Sequence, residues 1–460
     1  MTDSILIVGG GVAGLNAAME CADAGARVHL VERGPIVGGK LAATMTKAPA
    51  IGDRSEGEAI PLLEALEKNE KIEILTLSSL ESIEGGPGNF DVVIRQRGRF
   101  VTDACTRCKL CHKVCPVVEA NDYDAGLTFR KAIYTPLPET LPQEYVIDID
   151  NCLNSPPNYL PCQKCVEICE DDAIHFDLPV ETVHERHVGA VILAPGFQIE
   201  DGAALADLGY GSHADIVTSA ELQRLMESPG PTGGYASKLS EEEYPESILF
   251  VMDNPSQFAL YIAASQVHQL LEQDVEKIAV IVLSQLKEND YAEAQQIAEK
   301  FGVEVCPATM FEVDAEAEEP LGVAYQNLTT QRYVRDRYDM VVLCSDVGPS
   351  DGLPELAELA EVELAGSGYV SVADADGSGV TTTRPGILVA GCGSGPKNIK
   401  ASLETARAAA GDALANLDQR LLREGYVPQG EAEADAEAPQ TDEEKRALIE
   451  KMLYALLDQR

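Results

Sequence analysis

The chain has 460 residues, of which 45% are hydrophobic, and this length is enough for two or three hydrophobic cores. Its formal net charge of -41 repels phosphate backbones and anionic lipids, and tryptophan is absent, so binding to nucleic acid or to a membrane surface is excluded. No run of roughly eighteen apolar residues occurs, so no membrane-spanning helix is predicted. The first strand-like run begins at Ser4 with no basic stretch before it, which favours a cytoplasmic location.

The excess of acidic residues has two interpretations. The 76 acidic residues, against 35 basic ones, either adapt the whole surface to high salt or steer a basic protein partner. They are spread along the chain rather than gathered in one tail, which favours the adaptation to salt.

The first 33 residues predict a strand, a glycine turn, a helix and a second strand, which is a βαβ unit of a parallel sheet. Gly9, Gly11 and Gly14 form a G-x-G-x-x-G motif directly after the first strand, where bare backbone can approach a pyrophosphate. Glu32 ends the second strand, where a carboxylate can accept from a ribose hydroxyl. The alternative is a turn that only packs helix against strand. Agreement of strand, glycines, helix and acid favours a dinucleotide site.

Eight of the twelve cysteines lie between Cys105 and Cys169. The first four have the C-x2-C-x2-C-x3-C-P spacing of bacterial ferredoxins, in which the fourth thiolate reaches the other cluster: Cys105, Cys108, Cys111 and Cys115. The second four keep the last two spacings but separate the first two cysteines by nine residues: Cys152, Cys162, Cys165 and Cys169. Two [4Fe–4S] clusters are predicted, with Cys169 joining the first three cysteines and Cys115 joining the second group. Structural zinc and disulfides remain as alternatives.

A second α/β unit follows the cysteines, and its first turn contains no glycine. The turn "DNPSQ", residues 253–257, carries a side chain at each position, which blocks close approach of a phosphate. We therefore expect that this unit does not bind a nicotinamide nucleotide. After it, "ILVAGCGSGP" predicts a strand and a second glycine turn, followed by a long helix.

The turns "VGGK" at residues 37–40 and "ILVAGCGSGP" resemble those of flavoproteins with two dinucleotide folds, of the thioredoxin reductase type. This resemblance implies FAD as the cofactor and places the late glycine turn near the flavin ring. Together, the first motif and the resemblance give these candidate FAD-binding residues: Gly9, Gly11, Gly14, Glu32, Arg33, Gly39, Lys40, Ala194, Gly196, Gly391, Gly393 and Gly395. Lys397 is the candidate catalytic residue, as the group that tunes flavin N5.

The predicted fold class is α/β, an FAD-binding two-dinucleotide fold that carries an inserted ferredoxin-like module with two clusters. The predicted divisions are the FAD-binding domain at residues 1–100, 179–246 and 346–426, the inserted module at 101–178, the second α/β domain at 247–345, an acidic linker at 427–440 and an amphipathic C-terminal helix at 441–460.

The combination of motifs resembles the A subunit of heterodisulfide reductase. The matching stretches include "ILIVGGGVAGLNAA", "CVEICEDDAIHFD", "GAVILAPGF" and "VAGCGSGPKNI". Longer members of that family carry an additional N-terminal domain and a C-terminal ferredoxin domain, and they perform flavin-based electron bifurcation. Short relatives include the A subunit of the quinone-interacting membrane-bound oxidoreductase. The resemblance implies partner redox subunits, one of them with a membrane quinone module.

The predicted function is an electron-transfer protein within a complex, which relays electrons between FAD and a partner subunit in sulfur-linked or quinone-linked energy metabolism. Three alternatives stay open: a bifurcating A subunit, a stand-alone reductase linked to NAD(P)H or to thiols, and a non-catalytic assembly scaffold. Titration with NADH separates the stand-alone reductase from the relay, and the iron content tests the scaffold.

Overall fold

The computed structural model describes residues 3–40, 65–137, 140–155, 159–199, 202–228, 230–241, 243–253, 255, 257–283, 305–314, 320–373 and 379–423. Contacts divide the chain into a unit Met1–Asp418 and a unit Gln419–Arg460, and of the second unit only the residues up to Arg423 are described. The predicted acidic linker and C-terminal helix lie outside the described residues.

The described strands and helices follow one another along the chain in an α/β pattern. The strands are β1 Ser4–Val8, β2 Arg27–Val31, β3 Ile72–Leu75, β4 Ser78–Gly86, β5 Asn89–Arg97, β6 Glu119–Ala120, β7 Phe129–Arg130, β8 Ile133–Tyr134, β9 Val146–Ile147, β10 Glu181–Val188, β11 Ala190–Leu193, β12 Phe197–Ile199, β13 Ile216–Thr218, β14 Ser247–Met252, β15 Lys277–Val282, β16 Val305–Asp314, β17 Leu321–Asn327, β18 Arg332–Tyr338, β19 Met340–Cys344, β20 Val347–Pro349 and β21 Ile387–Val389. The helices are α1 Val12–Asp23, α2 Leu110–Val114, α3 Lys164–Ile168, α4 Ser219–Met226, α5 Gln257–Glu272, α6 Leu353–Ala360 and α7 Ile399–Arg423, with 3-10 segments at Asp122–Asp124, Gly202–Leu208 and Gly391–Ser394.

The first sheet has five parallel strands in the order β21-β11-β1-β2-β3. Its strands are short apolar runs, and β1 and β11 are almost entirely buried, as expected for a parallel sheet that is covered on both faces. One face packs against the alanine-rich sides of α1 and α7. The other face packs against a three-stranded antiparallel sheet, β10-β5-β4, and against α6. None of the described helices combines the length and the apolar character needed to cross a membrane.

The cysteine-rich segment, residues 101–178, is attached to two neighbouring strands. The chain leaves β5 at Arg97 and returns at Glu181 in β10, and these two residues are register partners in the antiparallel pair. The segment has its own small core, in which cysteines lie beside Phe100, Ile133 and Ile147. Because its two ends meet on adjacent strands, the segment interrupts the first α/β unit without breaking the sheet.

The second sheet has seven strands in the order β13-β19-β14-β15-β16-β17-β18, parallel up to β16 and antiparallel beyond it. Its first strand, Ile216–Thr218, comes from before residue 247, where the sequence placed the start of this unit. The difference arises because this strand has only three residues and no hydrophobic periodicity of its own. Pairing with β19, far along the chain, decides which sheet it joins.

Helix α4 begins with a capping box, and this box supplies a stability prediction. The Glu221 N–H donates to Thr218 Oγ1 at 3.2 Å, and the Thr218 N–H donates to Glu221 Oε2 at 2.6 Å. We expect Thr218→Ala to lower the free energy of unfolding by about 1 kcal/mol, measured by urea denaturation, because the first turn loses a side-chain acceptor. Thr329→Ala, at an exposed position, is the matched control. Equal midpoints for the two variants would contradict the role of the cap.

Candidate functional site

Four loops meet at the carboxyl edge of the first sheet. They follow β1, β2, β11 and β21, and parallel strands present their carboxyl ends at one edge. Strand β1 continues through α1 to β2 on one side and is paired with β11 on the other, so the strand order reverses beside β1. In open α/β sheets, ligands bind in the crevice at such a switch point. Every predicted dinucleotide motif except the loop of residues 37–40 directly follows one of these four strands.

Each of the three motif positions is occupied by glycine for a different structural reason. Gly9 has φ +111°, and a Cβ there would lie 2.0 Å from Ala194 O. A Cβ on Gly14 would lie 1.9 Å from Gly9 O, so this glycine allows α1 to pack closely on the turn. A Cβ on Gly11 would meet no atom within 4 Å. Gly9 and Gly14 therefore serve the fold, whereas Gly11 leaves open space above the turn.

The carboxylate of Glu32 faces the glycine turn. Its Oε2 accepts from the Gly10 N–H at 2.7 Å, and its Oε1 accepts from the Gly34 N–H at 2.7 Å. A carboxylate offers about four lone-pair positions, so two acceptor positions are not used by these two bonds. Glu32 is thus held beside the turn with capacity to accept from a ligand hydroxyl.

The loop of residues 33–40, which we call the cradle loop, closes one side of this edge. The Gly38 N–H donates to Gly10 O at 2.7 Å, and a Cβ on Gly39 (φ +58°) would lie 2.9 Å from Gly11 Cα. Burial lowers the pKa of Lys40, Asp351 opposes this effect, and the Arg33 guanidinium adds to it. The structure therefore brings the predicted basic residues of this loop together at the same edge.

The late glycine turn packs against the start of α1. Gly391 has φ +61°, and a Cβ there would lie 2.7 Å from Ala13 Cβ. A Cβ on Gly393 would lie 3.0 Å from Pro195 Cδ, between the predicted Ala194 and Gly196. The predicted residues of both late turns therefore lie next to the first motif. Gly395 (φ +136°) ends the turn, and a Cβ built on it would meet no atom within 4 Å.

Lys397 lies directly after the late glycine turn. Its Nζ donates to Ser394 Oγ at 2.8 Å, and burial lowers the pKa of its ammonium group. Cys392, in the same turn, is 7% exposed, and burial raises the pKa of its thiol. Cys392 is therefore a buried thiol, and Lys397 has a half-buried amino group directly after the same turn.

The eight clustered cysteines line two separate cavities. The first cavity is lined by Cys105, Cys108, Cys111 and Cys169, and the second by Cys115, Cys152, Cys162 and Cys165. Each contains about 340 Å³ of space that protein atoms do not fill, part of it open to solvent. Among the described residues, no group of three or more His, Cys, Asp or Glu converges on a position for a single metal ion. The two sets of four are those predicted from the ferredoxin spacing, including the exchange of Cys115 and Cys169.

Short helices and backbone donors support the cysteine sulfurs. Helices α2 and α3 lie against each other, and each contains one cysteine, Cys111 and Cys165 respectively. The Ala173 N–H donates to Cys169 Sγ at 3.4 Å. The other backbone N–H donors to cysteine sulfur are His112 for Cys111, Asn154 for Cys152 and Val166 for Cys165. Arg107 (φ 56°) and Lys109 (φ 67°) lie in the left-handed region between the first ligands, a backbone form typical of anion-binding nests at iron–sulfur sites.

Burial and mutual proximity both act on the cysteine thiols of these cavities. Burial raises the pKa of Cys111 to about 11 and that of Cys165 to about 12, with further increases from neighbouring cysteines. Four thiolates around one partly buried cavity repel one another unless positive charge lies between them. All twelve cysteines lie in the described part of the chain, and none of them forms a disulfide. The residues present therefore fit a polynuclear metal group that is held by four thiolates.

Three residues that hold the cysteine-rich segment in place were missed by the sequence reasoning. Arg224, 3% exposed, pairs with Asp124 Oδ1 at 2.8 Å and links the segment to α4. Arg99 donates to Pro35 O in the cradle loop, and the Tyr123 hydroxyl oxygen would lie 3.9 Å from a Cβ built on Gly34 of that loop. In the sequence, these residues are marked only as basic or aromatic side chains near a change in composition. That signal does not identify the residue with which each one forms a contact.

A family model described as FAD dependent oxidoreductase matches residues 4–71. The chain is 30% identical over 428 residues to the iron-sulfur A subunit of the CoB--CoM heterodisulfide reductase of Methanocaldococcus jannaschii, covering 88% of this chain and 63% of that protein. It is also 30% identical over 461 residues to the A subunit of the Ferredoxin:CoB-CoM heterodisulfide reductase of Methanosarcina mazei, covering 96% of this chain and 55% of that one. The chain is similar to the A subunits of heterodisulfide reductases over most of its own length.

The chain spans 55% to 63% of the length of these two relatives. The predicted resemblance to the heterodisulfide reductase A subunit is confirmed, as are the FAD-binding α/β fold and the assignment to the oxidoreductases. Among solved structures, the thioredoxin reductase of T. acidophilum is similar with a TM-score of 0.45 and 15% identity, covering 90% of this chain and 97% of that one.

Proposed function

We propose that this chain relays electrons between FAD and a partner redox subunit, by way of two [4Fe–4S] clusters in its cysteine-rich segment. The observation that carries the proposal is the lining of two cavities by four cysteines each, in the grouping that a two-cluster ferredoxin requires. The dinucleotide edge of the first sheet lies in the same unit of the chain. One chain therefore holds both kinds of redox site.

The residues of the dinucleotide edge have separate roles in this proposal. FAD, when bound, exchanges two electrons at once or one at a time, whereas iron–sulfur clusters exchange single electrons. The open space at Gly11 admits the pyrophosphate, and Glu32 accepts from the adenosine ribose. The late glycine turn would lie near the flavin, and the half-buried amino group of Lys397, which donates to Ser394 Oγ, would tune flavin N5. The other predicted contacts, Arg33, Gly39, Lys40, Ala194, Gly196, Gly393 and Gly395, complete the binding surface.

The eight cysteines would hold the clusters as two sets. Cys105, Cys108, Cys111 and Cys169 bind one cluster, and Cys115, Cys152, Cys162 and Cys165 bind the other. The backbone N–H groups that point at four of the sulfurs stabilise negative charge there. The apolar residues packed around most of the cysteines hold the two sets of ligands at fixed positions.

Partner subunits supply and remove the electrons in this proposal. The relatives are named as subunits of heterodisulfide reductases, which supports a role within a complex. In this proposal the complex lies in the cytoplasm, and one partner connects it to a membrane quinone module. The turn of residues 253–257 has no glycine, so the second α/β unit serves as structure rather than as a nicotinamide site. A bifurcating A subunit is the alternative within the same family.

The first experiment is anaerobic purification, followed by measurement of iron, acid-labile sulfide and flavin per chain and then by addition of NADH. We expect about eight irons and about one FAD per chain, with a flavin absorption band that NADH does not bleach. Rapid bleaching by NADH would instead identify a self-contained reductase. Fewer than about four irons per chain would contradict the two-cluster relay.

A further inference from the structure

Arg99 joins three segments of the chain through one guanidinium group. Its Nη1 donates to Glu144 O at 3.0 Å, in the cysteine-rich segment. Its Nη2 donates to Thr76 Oγ1 at 3.1 Å, after β3, and to Pro35 O in the cradle loop. Burial lowers the pKa of Arg99, and Thr76 is 4% exposed, so these bonds form away from water, where hydrogen bonds are strong.

The cradle loop lies between the cysteine-rich segment and the first glycine turn. On one side the Val37 N–H donates to Leu141 O at 2.9 Å, and a Cβ on Gly34 would lie 3.9 Å from the Tyr123 hydroxyl oxygen. On the other side the Gly38 N–H donates to Gly10 O at 2.7 Å. The loop is therefore bonded to a neighbour on each side, and its position depends on both.

The acceptor Glu144 is adjacent to a residue of the first cysteine cavity. Tyr145 lines that cavity and is 3% exposed, within the core of the cysteine-rich segment. A continuous set of contacts thus runs from the cavity through Tyr145 and the Glu144 carbonyl to Arg99, and from Arg99 to Pro35. Pro35 lies three residues after Glu32, which is bonded to Gly10 in the glycine turn.

We propose that Arg99 is a positioning residue for the flavin site, which holds the cradle loop at the distance from the glycine turn that FAD binding needs. The inference rests on the proposed assignment of FAD to this edge. Arg99 acts through Pro35 rather than on the glycine turn itself, and it uses the cysteine-rich segment, through Glu144, as the fixed support. The inserted segment is therefore part of the flavin site as well as the holder of the cysteines.

The test compares FAD affinity among folded variants. Arg99→Met removes all three side-chain bonds, Arg99→Lys keeps the charge but loses the forked donor geometry, and Thr76→Val removes one acceptor. Arg97→Met is the matched control, because Arg97 is half exposed and pairs with Asp150 at 2.7 Å. Flavin is removed from each protein, and the FAD Kd is measured by quenching of flavin fluorescence. Visible circular dichroism of the bound flavin and the urea midpoint are measured in parallel.

We expect Arg99→Met to raise the FAD Kd by about tenfold to hundredfold and to change the flavin circular dichroism. Arg99→Lys and Thr76→Val should give smaller increases in the same direction, so they carry the test if Arg99→Met does not fold. The Arg97→Met control should match the wild type. A Kd within about twofold of wild type for Arg99→Lys and Thr76→Val, with unchanged circular dichroism, would overturn the proposal even where the urea midpoint falls. Failure of the wild type to bind FAD would instead refute the proposed function.

Discussion

Gly11→Ala should abolish flavin retention while leaving the protein folded. Gly11 has φ -80° and ψ -176°, which any residue adopts, and a Cβ there meets no protein atom within 4 Å. The methyl group therefore costs the fold little, but it occupies the space through which a pyrophosphate approaches the backbone. We expect the FAD Kd to rise by about 100-fold, or about 3 kcal/mol of lost binding, as for other overpacked sites.

Two further glycine variants make this prediction specific. Gly411→Ala, on an exposed position of α7, should leave the FAD Kd unchanged and raise the free energy of unfolding by about 0.5–1 kcal/mol. Gly14→Ala should instead unfold or strongly destabilise the protein, because its Cβ would lie 1.9 Å from Gly9 O. If Gly11→Ala retains flavin as the wild type does, the phosphate is not bound at this turn.

Local patterns predicted which loops lie at the carboxyl edge of the first sheet, and the reason is physical. Each of its loops follows a short apolar strand and has a glycine, a proline or an acid within its first two residues, so both the strand end and the special backbone are visible in a few residues. Parallel strands then place those ends at one edge without further information. The glycine turns at Gly9 and Gly391, both with positive φ, are examples.

Long-range pairing was not visible in the same way. Strand Ile216–Thr218 has three residues and joins the seven-stranded sheet only because it pairs with Met340–Cys344, more than a hundred residues later. Likewise, nothing around Arg99 indicates that its acceptors are Pro35 O and Glu144 O, since carbonyl groups belong to every residue. The sequence therefore predicts what a segment is, whereas which distant backbone it supports depends on the packed structure.

The grouping of the cysteines could be predicted from the sequence only in part, because it depends on both local spacing and long-range packing. Spacing alone is compatible with two local sets, one for each run of four, and the ferredoxin pattern favours the exchange of Cys115 and Cys169. The packing of α2 against α3 provides the physical reason, since the residue that ends each helix lies beside the cavity of the other run. The exchange of Cys115 and Cys169 can be tested by pairs of substitutions. Removing two ligands of the same cluster should lose no more iron than removing one of them, whereas removing one ligand from each cluster should lose the iron of both.

Cys111→Ser combined with Cys169→Ser should leave about four irons per chain, because both residues line the first cavity. Cys111→Ser combined with Cys115→Ser should leave almost none, because the two residues line different cavities. Iron and acid-labile sulfide per chain are measured after anaerobic purification. Local sets would give the opposite result for the two double variants, so either outcome decides the ligand assignment.

A matched control and the flavin content complete this experiment. Cys306→Ser, in a strand of the second sheet, should keep about eight irons, which shows that loss of a thiol as such is not the cause. Flavin per chain is measured in the same variants, because the cysteine-rich segment supports the cradle loop through Leu141 and, by way of Arg99, through Glu144. Equal iron loss in both double variants would mean that neither cluster persists without the other, and the two cavities would then form one cooperative unit rather than two independent sites.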